Sequence, residues 1–187
     1  MSNNNIKALV LYWSHMGNTK DIAEAIFGAL KKDSSIEAEI KEITGDLAVD
    51  YDDYHLIFCG SPVYSFLPPP EVTEFLKSQH KQSPILAAAP EKAGHAAVVF
   101  CTYAGGHTGE REAVPTLKYM AQFFEHKGIR VVDEWAVVGD FPDAQDPHYR
   151  RGGRLGDITG RPDESDLKNV QGRVIGLLSQ LKNVLAE

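Results

Sequence analysis

Apolar runs with strand character alternate along this chain with segments whose apolar residues recur at helical spacing, and this alternation predicts βαβ units around a parallel sheet. Ile6 to Tyr12 (IKALVLY), Tyr54 to Gly60 (YHLIFCG) and Ala96 to Thr102 (AAVVFCT) are short, bounded by turn residues and nearly continuous in apolar content. Strands buried on both faces read this way. Ile36 to Ile43 (IEAEIKEI) alternates strictly instead, as an edge strand with one covered face should. Ile129 to Val138 reads as a fifth strand with a polar interruption.

Between these runs, Ile22, Ala23, Ile26, Phe27 and Leu30 line one stripe of a first helix, and Val72, Phe75 and Leu76 mark a shorter helix opened by Pro70. Ala113, Leu117, Ala121 and Phe124 define a third helix closed by Gly128, and Leu167, Val170, Val174, Leu178, Leu181 and Leu185 define a long C-terminal one. Asp46 to Asp53 carries no clear signal and stays unassigned. Two further stretches read as loops. His80 to Gly94 is too broken by Pro to be one helix, and Asp140 to Asp163 is charged and rich in Gly and Pro. A loop of the latter length is a functional surface or a disordered segment.

With 187 residues and 43% apolar content, the chain can bury one full core, so residues 1–187 are expected to form a single domain. No N-terminal apolar run suggests a signal peptide and no stretch reaches the length of a membrane span, so a soluble, cytoplasmic protein is expected. The net charge of −7 argues against nucleic acid as a partner. Cys59 and Cys101 cannot form a secreted-type disulfide framework and read as buried, inert thiols. No Cys or His spacing matches a metal site.

The segment Tyr12 to Lys20 (YWSHMGNTK) joins the first strand to the first helix. Backbone N–H groups at such a junction point outward without partners, and the helix dipole adds positive charge, so a phosphate is stabilised there without a lysine. Ser14, Asn18 and Thr19 can add side-chain donors; alternatively, Asn18 or Thr19 only caps the helix. Neither GxxxxGK[ST] nor GxGxxG is present, which removes the P-loop and the dinucleotide fingerprint. A receiver-type regulatory domain would need an acidic cluster after the first strand, where Trp13, Ser14 and His15 stand.

Ser14-His15-Met16-Gly17-Asn18-Thr19 resembles the phosphate loop of the flavodoxin family, (Ser/Thr)-x-Thr-Gly-x-Thr, with Met16 in place of a hydroxyl residue. The order of strands and helices is also similar to that family's. The resemblance implies an α/β fold, a doubly wound five-stranded parallel sheet of order 2-1-3-4-5, with FMN at the switch point between the first and third strands. It also implies two ring-binding loops. After the third strand come Ser61, Pro62, Val63, Tyr64, Ser65 and Phe66, where Tyr64 and Phe66 are stacking candidates or, alternatively, cover the end of the core. After the fourth come Thr102, Tyr103, Ala104, Gly105, Gly106 and His107, whose glycines let backbone N–H groups approach the ring; His107 donates to it or faces water. Trp13 packs on a neighbouring loop. Arg150, Arg151 and Arg154 contact a partner or a nicotinamide phosphate, or are merely solvated.

Proteins of the family work as one-electron carriers or as NAD(P)H-dependent quinone and flavin reductases. The compact chain, its acidity and the lack of an evident nicotinamide site favour electron transfer to a redox partner protein or a small-molecule acceptor. The stretch Ser61 to Pro70 contains no Gly, whereas flavodoxins commonly place one there so that a peptide can reorient toward the flavin. Its Pro-Val-Tyr run is similar to the reductases' loop.

Overall fold

The computed structural model describes residues 5–82, 90–146 and 148–185. Five parallel strands, β1 (Ile6–Tyr12), β2 (Ile36–Glu42), β3 (Leu56–Pro62), β4 (Ala96–Tyr103) and β5 (Arg130–Val138), form one sheet in the order β2-β1-β3-β4-β5. The expected topology is therefore present. Helices α1 (Asn18–Leu30), α2 (Pro70–Gln82), α3 (Val114–Glu125), α4 (His148–Arg151) and α5 (Glu164–Leu185) complete the architecture.

The period of two along β1 divides the core between two layers. Ala8 and Val10 face α1 and α5, packing with Ile22, Ile26, Leu30, Val170, Val174 and Leu178. Leu9 and Leu11 face the opposite layer, where Val72, Phe75, Leu117, Met120 and Phe124 of α2 and α3 lie. Each apolar side chain fully withdrawn from water in these layers contributes about 1.5–3 kcal/mol. The continuous apolar runs β3 and β4 are buried along almost their whole length because helices cover both faces, whereas β2 at one edge alternates.

Strand β3 begins two residues later than the pattern predicts, because Tyr51–Asp53 form a 3-10 turn and Tyr54 caps it before pairing starts. That turn is all the regular structure in the unassigned stretch 46–53. The polar interruption of β5 coincides with a break in register, where Ala97 pairs with Val131 and Val98 with Asp133. There Asp133 accepts from the Trp135 indole N–H at 2.6 Å, which satisfies a donor on a fully buried ring. Of the expected loop His80 to Gly94, the first residues continue α2, residues 83–89 lie outside the described ones, and 90–95 are irregular.

Cys59 and Cys101 are buried, and burial raises the Cys59 thiol to about 12 and the Cys101 thiol further, so neither forms a thiolate readily. Among the described residues no group of His, Cys, Asp or Glu could hold a metal, and no helix is long and apolar enough to cross a membrane.

Candidate functional site

The layers explain where a ligand can sit. The connection from β1 runs through α1 onto one face and that from β3 through α2 onto the other, which leaves a crevice at the carboxyl ends of the strands. A cleft of about 620 Å³ opens there. It is within the size range of small-molecule and cofactor sites.

One end of the cleft is the β1–α1 junction, lined by Ser14, His15, Met16, Asn18 and Thr19. Gly17 is the N-cap, with φ 97°, and no side chain caps the helix, so the cap alternative for Asn18 and Thr19 does not hold. A left-handed cap suits Gly because it has no Cβ to clash. A Cβ built on Gly17 meets nothing within 4 Å, so space lies open above it. Ser14 Oγ accepts from the Gly17 N–H at 3.1 Å, which tightens the loop and leaves the hydroxyl's own proton for a ligand. The N–H groups of the first turn of α1 have no intrahelical acceptor.

Two expected donors are otherwise engaged. Asn18 Nδ2 donates to the carbonyl of Asp140 at 2.7 Å, and Thr19 Oγ1 shares a buried 2.8 Å hydrogen bond with Thr102 Oγ1. The junction thus offers backbone N–H groups more than side chains.

Pro62, Val63, Tyr64, Ser65 and Phe66 line a second wall, while Ser61 is buried behind it and donates to the Pro62 carbonyl. Tyr64 and Phe66 are 42% and 52% exposed, so they do not cover the end of the core. Tyr64 and Leu67 exchange backbone hydrogen bonds of 2.9 and 3.0 Å around Ser65 and Phe66, at φ 47° and 74°. Positive φ at two successive non-glycine residues is a strained turn, held because its surroundings determine it. Thr116 at the start of α3 donates to the Phe66 carbonyl at 2.9 Å. Trp13 packs edge-on against Tyr64 and stacks with His15, in keeping with its expected structural place.

The loop after β4 brings Thr102, Tyr103, Ala104 and His107 to the cleft. Burial, with the charge of Glu110, raises the Tyr103 phenol to about 12, so it stays a neutral donor. Gly105 and Gly106 do not line the cleft; their open faces receive the Leu155 and Tyr149 side chains, which a Cβ would meet at 2.7 and 2.3 Å.

Six further residues line the cleft: Glu112 and Gly139, which the sequence did not mark, and Asp140, Phe141, Asp143 and Tyr149, which lie in the stretch Asp140 to Asp163 expected to be a functional surface or a disordered segment. Glu112 is buried and accepts from the N–H groups of His107 and Thr108 at 2.9 and 2.7 Å, which fixes the second loop. The others, Gly139, Asp140, Phe141, Asp143 and Tyr149, follow β5 and line the cleft from that side. Arg150 binds both carboxylate oxygens of Asp140 at 2.6 and 2.5 Å, so the solvated alternative fails for this arginine, whereas Arg151 and Arg154 are exposed. The Arg150 guanidinium holds the Asp140 carboxyl below the usual range. Gly139 and Asp140 follow β5 directly, so the rule that ligands bind beyond the carboxyl ends of the strands was the signal for them.

The family model of the flavodoxin domain matches residues 9–151, more than half of the chain and every loop of the cleft. The chain belongs to the flavodoxin family. Over 55 residues it is 38% identical to the flavodoxin-like domain-containing protein BilS of Clostridioides difficile (strain CD3), a match covering 29% of this chain and 30% of that protein. Solved flavodoxins share the fold at lower identity. A flavodoxin from the domain Archaea superposes with TM-score 0.64 at 20% identity, covering 95% of this chain and 99% of that one. Flavodoxin 1 from Bacillus cereus gives 0.66 at 15%, covering 94% and 99%. Rubredoxin oxygen:oxidoreductase from Desulfovibrio gigas gives 0.62 at 15%, covering 97% of this chain but 37% of that larger one.

Proposed function

We propose that this flavodoxin-family protein holds FMN in the cleft and transfers electrons to a redox partner protein or a small-molecule acceptor. One observation carries the reading: an uncapped helix start with open space above Gly17 and a loop of exposed aromatic rings line the same cleft. The two ends suit the two halves of FMN. Backbone N–H groups of the β1–α1 junction other than that of Gly17, which Ser14 Oγ holds, together with the Ser14 hydroxyl proton, would hold the phosphate, with the dipole of α1 favouring its charge. No lysine or arginine lines the cleft among the described residues, so neutral donors would carry this task.

Tyr64 and Phe66 would flank the ring on one side, and Thr102 to Ala104 and His107 would face it on the other. Ser61, Gly105 and Gly106 would support these loops from behind. When bound, FMN supplies one- and two-electron chemistry at its ring, and the chain's part is to orient the ring and limit water around it. A visible spectrum of the purified protein tests this directly, together with titrations by FMN and riboflavin. FMN is expected to bind far more tightly, because the β1–α1 junction gives its donors to phosphate; equal affinities would overturn the reading.

A second reading, an NAD(P)H-dependent quinone or flavin reductase, is favoured by the turn at Ser65 and Phe66. Its peptides are tied by the paired Tyr64–Leu67 hydrogen bonds and by Thr116, and it has no glycine, so the backbone reorientation that accompanies one-electron cycling is hindered.

A further inference from the structure

The segment after β5 behaves as an arm tied at its base and at its tip. At the base, the Asp140 carbonyl accepts from Asn18 of the β1–α1 junction at 2.7 Å. A Cβ on Gly139 would stand 2.7 Å from that same Asn18 side chain, so the amide packs directly on the Gly139 backbone. The Asp140 carboxylate then gathers the arm's return, taking Arg150 on both oxygens and the Gly160 N–H at 3.0 Å. At the tip, the Tyr149 ring packs against Gly106, meets His107 edge-on at 5.2 Å between ring centres and Phe141 at 6.3 Å, and points its hydroxyl toward Glu112. The Arg154 N–H donates to the Gly106 carbonyl at 2.9 Å, which joins the far side of the arm to the same loop.

We infer that Tyr149 forms an outer wall at the ring end of the cleft, recognising a flat conjugated ring, and that Arg150, through Asp140, is the positioning residue that seats it. This inference rests on the FMN reading. Three observations place the wall at the ring end. Tyr149 packs on Gly106 and His107 of the loop after β4. Asp143 of the same arm lines the same cleft as Tyr64, Ser65 and Phe66 of the loop after β3, so the arm and that loop bound one space. Phe141, 39% exposed, prolongs the apolar wall outward. An aromatic wall fixed at both ends loses little side-chain freedom when a planar ligand slides against it, which favours rings over flexible ligands.

The test uses the full chain titrated with FMN and with riboflavin, reading affinity and the fluorescence of the bound flavin. Tyr149→Ala should weaken both ligands by about fivefold, the range of an aromatic pair, and should relieve the quenching of flavin fluorescence by the tyrosine. Gly17→Asp should instead lower FMN affinity alone, which separates ring from phosphate recognition. Arg150→Ala should reproduce the Tyr149→Ala loss, add nothing to it in the double variant, and be partly rescued as Arg150→Lys. Tyr149→Leu, which keeps the bulk over Gly106, serves if the alanine variant unfolds and should show the same loss. If the wild-type protein binds FMN while both Tyr149 variants keep its affinity and fluorescence, the wall is overturned and the FMN reading stands. Additive losses for Arg150 and Tyr149 overturn the positioning role. Failure of the wild-type protein to bind either flavin overturns both.

Discussion

Gly17 combines two constraints in one position. Its φ of 97° costs a residue with a side chain about 1–2 kcal/mol, and the space above it is where a bound phosphate would lie. Gly17→Asp is therefore expected to fold with a modest fall in thermal midpoint yet to lose FMN, with riboflavin affinity unchanged; retention of FMN would show that the phosphate lies elsewhere. Tyr64 makes a separate contribution. It is exposed, packed against Trp13 on its edge, and its phenol is raised by burial and then by Glu71 and Asp143, so it remains neutral and electron-rich. Tyr64→Ala should weaken FMN by about 1 kcal/mol and raise the potential of the second electron, because an electron-rich ring disfavours added negative charge on the flavin. Potentiometry with no shift would remove Tyr64 from the ring site.

Helix α5 illustrates how an element is held by few polar contacts on a large apolar stripe. Val170, Val174, Leu178 and Leu181 bury against the sheet and α1, while the Arg173 guanidinium lies over the Trp135 ring at 5.9 Å. Near its C-terminal end Lys182 pairs with Asp33, three residues beyond the end of α1. That hydrogen bond, helped by Ser35, lowers the Asp33 carboxyl from 3.8 to about 2. A carboxyl with a depressed folded value stabilises the fold above its unfolded value, and the contribution is lost as the pH falls through the folded one. Thermal midpoints of the wild-type protein should therefore drop between about pH 4 and about pH 2, and Asp33→Asn should be less stable at neutral pH with a shallower acid decline. An unchanged slope in that window would show that the pair does not couple α5 to α1 in solution. The side chains are partly exposed, so solvent screens the pair and its share stays small.

For the whole molecule, the net charge of −7 and the strained turn at Ser65 and Phe66 pull in opposite directions. A surplus of carboxylates disfavours a second negative charge on bound flavin and so lowers the second potential, which separates the two one-electron steps. The tied turn offers no peptide that reorients easily, which narrows that separation. Photoreduction should accordingly pass through two partly resolved steps, with slow or no bleaching by NADH or NADPH alone. Bleaching by either nucleotide within seconds, together with a single unresolved reduction step, would replace the carrier reading by the reductase one.

Much of this architecture is local in origin. The period of two in Ile36 to Ile43, the continuous apolar runs of β1, β3 and β4, and the stripe from Ile22 to Leu30 are written within single elements, because burial on one or two faces imposes its own spacing. The junction Ser14 to Thr19 and the loop Ser61 to Phe66 were legible for the same reason, each being contiguous and its chemistry carried by neighbouring residues. What Asn18 and Thr19 actually do was not legible, since their partners Asp140 and Thr102 are 122 and 83 residues away. Likewise, nothing local distinguishes Arg150 from Arg151 and Arg154; the difference lies in which one reaches Asp140. Glu112 and Tyr149 join the cleft only because the order β2-β1-β3-β4-β5 brings the carboxyl ends of β4 and β5 beside that of β3. Contacts between distant segments form where the sheet closes the chain on itself, and no spacing along the chain records them.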